Sequence, residues 1–455
     1  MSGWTEAQAE RQLRSLELFG MRFGLDRMRR MMTALGSPER RFDTIHVLGT
    51  NGKSSTTRMT AAILERHGLS TGAYLSPHLV SYRERIRIDG RELDADAFAA
   101  AVARATRAAE RVNHTLAEDD HVTQFELLTA AAFWEMARRG VDVAVVEAGL
   151  GGRYDATSVV DSRVTVLTNV GLEHTRWLGP TVKDIAEEKL AVLGARTPLV
   201  LGHGLAPPAV AVAERVARER EAWIVHPQPL QPSMQLRARG AFQRRNFALA
   251  RAAAEAYLRS AGRVLDEQAV AQAAAATDVP GRLQLISNDP LTLLDGAHNP
   301  DAVAALVESL AEVLDARPSG PTARSAGSQA TASERLSLAP TPIALVLGVL
   351  DDKDAAAMLA TLMPRVARAW FTAPPSSRAL SPATLQSLAR QLGFEETSCE
   401  PQPARALEQA QRWARAHAGA VLATGSVYLV GDLLAEQARA DDLTPAATRQ
   451  RSSLG

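Results

Sequence analysis

The segment Ile45-His46-Val47-Leu48-Gly49-Thr50-Asn51-Gly52-Lys53-Ser54-Ser55-Thr56-Thr57 holds the residue types that bind phosphate, in a usable order. An apolar run enters a glycine-rich turn, then a lysine, then hydroxyls that open a helix. Glycines let backbone N–H groups close around phosphate oxygens, an ammonium group neutralises the β- and γ-phosphates, and a hydroxyl reaches Mg²⁺. Asn51, Gly52, Lys53, Ser54 and Ser55 are therefore the candidate nucleotide-binding set. The common phosphate loop carries a glycine five residues before its second one. Val47 stands at that position, so this is a variant loop. A strand-to-helix turn that binds nothing is the bland alternative; the order of Gly, Lys and hydroxyls favours phosphate.

Acids and imidazoles stand at the ends of other apolar runs. Glu147 follows Val141–Val146 and precedes Ala148-Gly149-Leu150-Gly151-Gly152-Arg153-Tyr154-Asp155. A carboxylate at the carboxyl end of a parallel strand suits a hard cation, and glycines behind it admit a ligand. A solvated loop acid is the alternative. His174 follows Val164–Thr168 in the same way, and Asp295 ends a third such run. Asp295 suits a ribose, a phosphate or a helix cap. Lys189 follows Glu187 and Glu188 in the helical stretch Thr181–Leu193, which by itself reads as a solvated face.

The elements that must position these residues alternate between helix and strand, which predicts an α/β fold with mostly parallel sheets. Buried strands are expected at Ile45–Leu48, Val141–Val146, Val164–Thr168, Pro198–Leu201, Ile343–Gly348 and Ala420–Ala423. Thr123 with Glu126 forms a capping box for a helix running to Arg139, and Gly140 stops it. Residues 283–295 read as two short strands around the turn Asn288-Asp289-Pro290. The stretch Ala316–Pro342 is rich in Pro, Gly, Ser, Thr and Ala, and is expected to be a flexible insertion between the helix Asp301–Leu314 and the strand at 343. The tail 438–455 is expected to fray.

The chain has 455 residues, more than one core usually serves, so two domains are expected. Lys+Arg and Asp+Glu balance at 51 each, which argues against bulk nucleic acid or an anionic membrane as partner. The single cysteine, Cys399, excludes an intrachain disulfide and reads as an ordinary semi-buried thiol. The polar stretch Met1–Arg14 has no apolar signal core, and no run approaches the ~20 apolar residues of a membrane span. A cytoplasmic protein is expected.

Together these segments resemble the Mur-ligase superfamily and, within it, the folylpolyglutamate synthase/dihydrofolate synthase family. The likeness rests on Gly49–Lys53, Leu75-Ser76-Pro77-His78-Leu79 with Arg83-Glu84-Arg85-Ile86, and Glu147–Thr157. It continues through Leu172-Glu173-His174-Thr175, Ile185–Lys189, Pro280-Gly281-Arg282, Asp295–Pro300, Asp351–Asp354 and Gly425–Gly431. The resemblance implies a larger ATP-binding domain (1–284), a smaller Rossmann-like, glutamate-binding domain (285–437) and an active site between them. It implies Mg²⁺ at two sites, held by Ser76, Glu147, His174 and a carbamylated Lys189, with ATP as co-substrate. Lys53, His174 and Lys189 would be catalytic, and Asn246, Arg282 and Asp295 would join the phosphate loop on ATP. Gly24, Leu25, Thr123, Gln124, Phe125, Glu126, Tyr154, Asp155 and Ala156 would face the pterin-bearing substrate, with His298 and Ser426 on the glutamate side.

The phosphate loop departs from the family pattern at Ser54, where glycine is usual, which leaves open whether Ser54 or Ser55 meets Mg²⁺. The implied reaction is ATP-driven activation of a carboxylate as an acyl phosphate, then attack by the amine of L-glutamate. The acceptor would be dihydropteroate or a reduced folate, and the protein a monomer. A peptidoglycan-type Mur ligase would need a further N-terminal domain, and the roughly 40 residues before the loop fall short of the ~50 a domain takes. A nucleotide-switch module would lack a second domain carrying Asp295 and His298.

Overall fold

The computed structural model describes residues 3–16, 24–315 and 341–443. Nearly all of the expected insertion at 316–342, and the tail beyond 443, lie outside the described residues. The chain divides into two units, one of Met1–Arg237 with Gln243–Asp278, the other of Ala238–Phe242 with Val279–Gly455.

The first unit is built on eight strands: β1 (Asp43–Leu48), β2 (Thr71–Tyr74), β3 (Ile86–Ile88), β4 (Arg91–Glu92), β5 (Val143–Glu147), β6 (Ser162–Leu167), β7 (Pro198–Leu201) and β8 (Trp223–Val225). Their order is β4-β3-β2-β5-β1-β6-β7-β8. Only the β2–β3 and β3–β4 pairings are antiparallel. The apolar runs of β1, β5 and β6 suit strands covered on both faces. Phe98, Leu127, Phe133 and Val146 belong to one buried cluster, and Leu48, Leu167, Ile185, Leu199 and Val212 to another. β1 lies between β5 and β6, so the carboxyl ends of these three strands are neighbours. There the strand order reverses, the place where open α/β sheets gather ligands.

Local rules account for the element ends. Thr123 accepts from Glu126 N, the Glu126 carboxylate accepts from Thr123 N at 2.8 Å, and the helix Gln124–Arg139 ends at Gly140 with φ 70°. β5 begins two residues later than expected because Val141 N donates to Met136 O and so belongs to the helix end. β2, β3, β4 and β8 were not expected; each is too short for its periodicity to register.

The second unit holds β9 (Gln284–Asn288), β10 (Leu291–Leu294), β11 (Ile343–Leu347), β12 (Arg368–Phe371), β13 (Thr397–Cys399) and β14 (Ala420–Thr424). Their order is β13-β12-β11-β14-β10-β9, parallel except for the β9–β10 hairpin. Leu293, Val303, Leu345, Met358, Phe371 and Leu422 belong to its core. Cys399 ends the edge strand β13 and is exposed, not semi-buried as expected. Among the described residues no helix is long and apolar enough to cross a membrane.

Candidate active site

The phosphate loop leaves β1 at Gly49, where φ is 145° and an added Cβ would meet Thr168 Oγ1 at 1.8 Å. The end of β6 fixes the first half of the loop. Asn169 Oδ1 accepts from Thr50 N at 3.1 Å and from Asn51 N at 2.8 Å, and Thr168 Oγ1 donates to Asn51 O at 2.6 Å. Gly52 turns the chain into the helix Lys53–Arg66 with φ 80°, and its missing Cβ makes room for Asn246 Oδ1. That helix has no side-chain cap, whereas Thr123 and Thr181 cap the helices they precede. Its first N–H groups are left for an anion. Asn246 thus lies against the loop.

Two lysines converge on the turn. Lys53 Nζ donates to Gly49 O at 3.0 Å and Thr50 O at 3.1 Å, and Lys189 Nζ donates to the same Gly49 O at 3.0 Å. Lys189 is buried at 4% exposure, so the solvated-face reading of its helix is corrected. The helix Val182–Leu190 turns Ile185, Ala186, Lys189 and Leu190 inward together, a spacing that a one-turn reading of its acids overlooks. Burial, and then the Lys53 charge, pushes the Lys189 ammonium down to about 7.

A second cluster joins three strand ends. Ser54 Oγ donates to Glu147 Oε1 at 3.0 Å and lies 3.5 Å from Ser76 O, while Ser76 N donates to Glu147 Oε2 at 3.1 Å. Glu147 is buried, so its carboxylate is held by these bonds in a protected place. Ser55 is buried, and Ser54 is the hydroxyl that joins the carboxylate. Among the described residues no three His, Cys, Asp or Glu side chains gather as a metal cage. One hydroxyl and one carboxylate beside a backbone carbonyl fit Mg²⁺, which keeps several waters and relies on substrate phosphates for much of its shell. His174 has φ 54°, precedes the short helix Thr175–Leu178 and places Nε2 3.9 Å from Glu173 Oε1.

The residues expected on the pterin side separate by role. Gly24 has φ 122° with open space where a Cβ would stand, and Leu25 precedes the helix Asp26–Leu35. Thr123 and Glu126 serve the capping box, and both Glu126 oxygens lie 3.1 Å from Arg27 Nε. Gln124 Nε2 donates to Leu13 O and to Tyr82 Oη. Phe125 packs on Gly149, its Cζ 2.6 Å from where a Cβ would be, and lies near the Tyr74 ring. Tyr154 is exposed, whereas Asp155 and Ala156 are buried. Both Asp155 oxygens are engaged: Oδ2 accepts from Leu150 N at 2.7 Å and Oδ1 from Thr157 N at 3.0 Å. Burial raises the Asp155 carboxyl above its usual range against the pull of those bonds.

In the second unit Asp295 is buried. It accepts from Leu283 N at 2.9 Å and Ala297 N at 2.8 Å, and its carboxyl is raised by burial. The helix cap is Asn299, whose Oδ1 accepts from Ala302 N, so the cap reading of Asp295 is set aside. Arg282 Nη1 donates to Gly281 O and crosses Gly296, where a Cβ would be 2.3 Å away. His298 Nδ1 donates to Gly296 O at 2.8 Å, and Ser426 Oγ accepts from Tyr428 N at 3.1 Å.

The sequence leaves Asn169 and His46 unassigned, and sets Arg27 at the end of the substrate-facing stretch Gly24–Arg27 without its partner Glu126. Asn169 follows the apolar run of β6, and a polar amide at a strand's carboxyl end was the available signal. Nothing local marks Arg27 for Glu126, 99 positions away.

The Mur ligase middle domain profile matches residues 47–196. Folylpolyglutamate synthase of Lacticaseibacillus casei is 33% identical over 386 residues, 79% of this chain and 84% of its own. The chain belongs to the folylpolyglutamate synthase/dihydrofolate synthase family. Dihydrofolate synthase/folylpolyglutamate synthase of Mycobacterium tuberculosis is 34% identical over 395 residues, covering 78% of this chain and 75% of that one. The structure of Mycobacterium tuberculosis folylpolyglutamate synthase complexed with ADP superposes with a TM-score of 0.82 at 29% identity, over 94% of this chain and 97% of that chain. A two-unit α/β architecture is what this synthase family member shares with that structure.

Proposed function

We propose that this protein is an ATP-dependent, ADP-forming amide ligase. It adds L-glutamate to dihydropteroate and to reduced folates. The observation that carries the reading is the convergence of Lys53, Lys189, Ser54, Ser76 and Glu147 on the carboxyl ends of β1, β2 and β5. Membership in the synthase family supports it.

A carboxylate does not acylate an amine at neutral pH, because its oxygen is a poor leaving group. In the first step a carboxylate oxygen of the acceptor bonds to the γ-phosphorus as the bond to the β-phosphate oxygen breaks. Lys53 neutralises charge on the transferring group, and the uncapped N–H groups beside it orient the phosphates. In the second step the α-amine of glutamate attacks the acyl carbon, phosphate departs with the bonding pair, and the amine proton passes to solvent or phosphate.

Ser54, Ser76, Glu147, His174 and a carbamate on Lys189 would hold Mg²⁺ at two sites, where it would screen the phosphate charges. Carbamylation joins the Lys189 amine nitrogen to the carbon of CO₂ with loss of one proton; burial beside Lys53 favours the uncharged amine it requires. Asn246, Arg282 and Asp295 are proposed ATP contacts. Phe125 and Tyr154 are proposed to meet the pterin-bearing substrate, His298 and Ser426 the glutamate. Residues 1–284 are the ATP-binding domain on this reading, and residues 285–437 the glutamate-binding one. The enzyme is a cytoplasmic monomer acting on small molecules, with neither nucleic acid nor membrane as partner; the balance of 51 basic and 51 acidic residues supports the last two points alone.

The test supplies ATP, L-glutamate and either dihydropteroate or tetrahydrofolate, and measures ADP and amide product. Turnover with both acceptors is expected. Turnover with tetrahydrofolate alone would leave a polyglutamate synthase only, and glutamate-independent ATP hydrolysis would overturn the ligase reading.

A further inference from the structure

Residue His46 lies in β1, the strand that feeds the phosphate loop, and is 1% exposed. A histidine in an otherwise apolar strand needs a partner. His46 Nε2 is 2.9 Å from Thr157 Oγ1. Thr157 Oγ1 donates in turn to Asp155 Oδ1, which also accepts from Thr157 N at 3.0 Å. A hydroxyl has one proton. Since that proton goes to Asp155, the hydroxyl accepts from His46, which fixes the imidazole with its N–H at Nε2. The other Asp155 oxygen accepts from Leu150 N at 2.7 Å. A directed chain of bonds thus runs from β1 through Thr157 and Asp155 to the backbone of the Ala148–Arg153 loop.

We infer that His46 is a positioning residue for the acceptor substrate. The chain holds the loop at both ends of Asp155: Leu150 on one side, and the 3₁₀ turn Ala156–Val159 on the other. Gly149 of the same loop seats Phe125, and exposed Tyr154 projects from it. Losing the His46 bond frees the Thr157 hydroxyl to turn, and with it the Asp155 anchor on Leu150 N. The phosphate loop is held separately, by Asn169 and Thr168 at the end of β6. Damage at His46 therefore reaches the acceptor side and spares the nucleotide side. This inference rests on the proposed function, which assigns Tyr154 and Phe125 to the acceptor.

Steady-state kinetics of full-length His46→Leu, His46→Gln, Thr157→Val and Thr157→Ser decide it, with KM measured separately for the acceptor and for ATP. His46→Leu and Thr157→Val are expected to raise the acceptor KM about tenfold or more and leave the ATP KM within about twofold. His46→Gln, which keeps a donor, and Thr157→Ser, which keeps the hydroxyl, are expected to restore most of it. The double variant should be no worse than the worse single one, because both cut one chain. Acceptor and ATP KM rising together, or neither moving, would overturn the inference. Should His46→Leu fail to fold, nearly isosteric Thr157→Val cuts the same chain from the other end. A wild-type protein that used neither acceptor would instead sink the proposed function, so the two failures are distinguishable.

Discussion

Lys53 and Lys189 donate to one carbonyl oxygen, that of Gly49, each at 3.0 Å. Two ammonium groups on one acceptor repel, and Lys189, the buried one, gives up charge more readily. Lys53→Ala is expected to lower kcat for ligation roughly 10²- to 10³-fold while leaving far-ultraviolet circular dichroism unchanged. Near wild-type ligation by a folded variant would end its assignment to the phosphates.

Lys189 is expected to need CO₂. Enzyme prepared free of bicarbonate should be slow and recover on its addition, and ¹³CO₂ should give a carbamate carbon signal that Lys189→Ala lacks. Short-chain carboxylic acids are expected to rescue Lys189→Ala in part by standing in for the missing anion. Activity indifferent to bicarbonate, with no carbamate signal, would refute carbamylation.

Glu147, Ser54 and His174 are expected to set the Mg²⁺ requirement. Glu147→Ala and His174→Ala should each raise the Mg²⁺ concentration for half-maximal rate and lower kcat, and Ser54→Ala should do so less. Because Ser54 donates to Glu147 at 3.0 Å, their double variant should be non-additive by about 0.5–3 kcal/mol. Mn²⁺ titration followed by electron paramagnetic resonance checks this apart from turnover. Strictly additive losses would place the residues at separate sites.

Arg27 and Glu126 form a buried ion pair, with side chains 7% and 6% exposed, and Asp120 joins Arg27 at 3.0 Å. Arg27→Ala leaves the Glu126 carboxylate buried without its cation and is expected to cost about 3–5 kcal/mol in urea unfolding, whereas Glu126→Ala leaves Arg27 still paired with Asp120 and is expected to cost less. Glu126→Gln should cost less still, because it keeps an acceptor for the capping box. If Glu126→Ala kept full stability and lost only acceptor binding, Glu126 would be a ligand contact instead of a structural one.

His46 also predicts a pH dependence of stability. Burial lowers its folded pKa to about 4, against 6.5 for the ordinary side chain. Between those values the unfolded chain binds the extra proton, so stability is present above about pH 6.5 and is lost as pH falls towards 4. The interval corresponds to about 3 kcal/mol. Urea midpoints of wild type and His46→Gln between pH 4 and 7 check it: the variant's profile should be flatter by that amount.

Sequence by itself determined what neighbours in the chain decide together. The run from Ile45 to Thr57 declares a strand, a turn and a helix, because glycine torsions and helix-opening hydroxyls act within a few residues. The capping box at Thr123 and the hairpin around Asp289-Pro290 were legible for the same reason. The ordered motifs also carried the family resemblance. Tertiary structure alone decided which side chains share an environment. Lys189 reads as solvated among its acids, yet the fold buries it and sets it on Gly49, 140 positions away. Glu147 finds Ser54 across 93 positions, and His46 finds Thr157 across 111. Burial, shared acceptors and tautomers depend on strand order, and β1 meets β5 and β6 only once the sheet has formed.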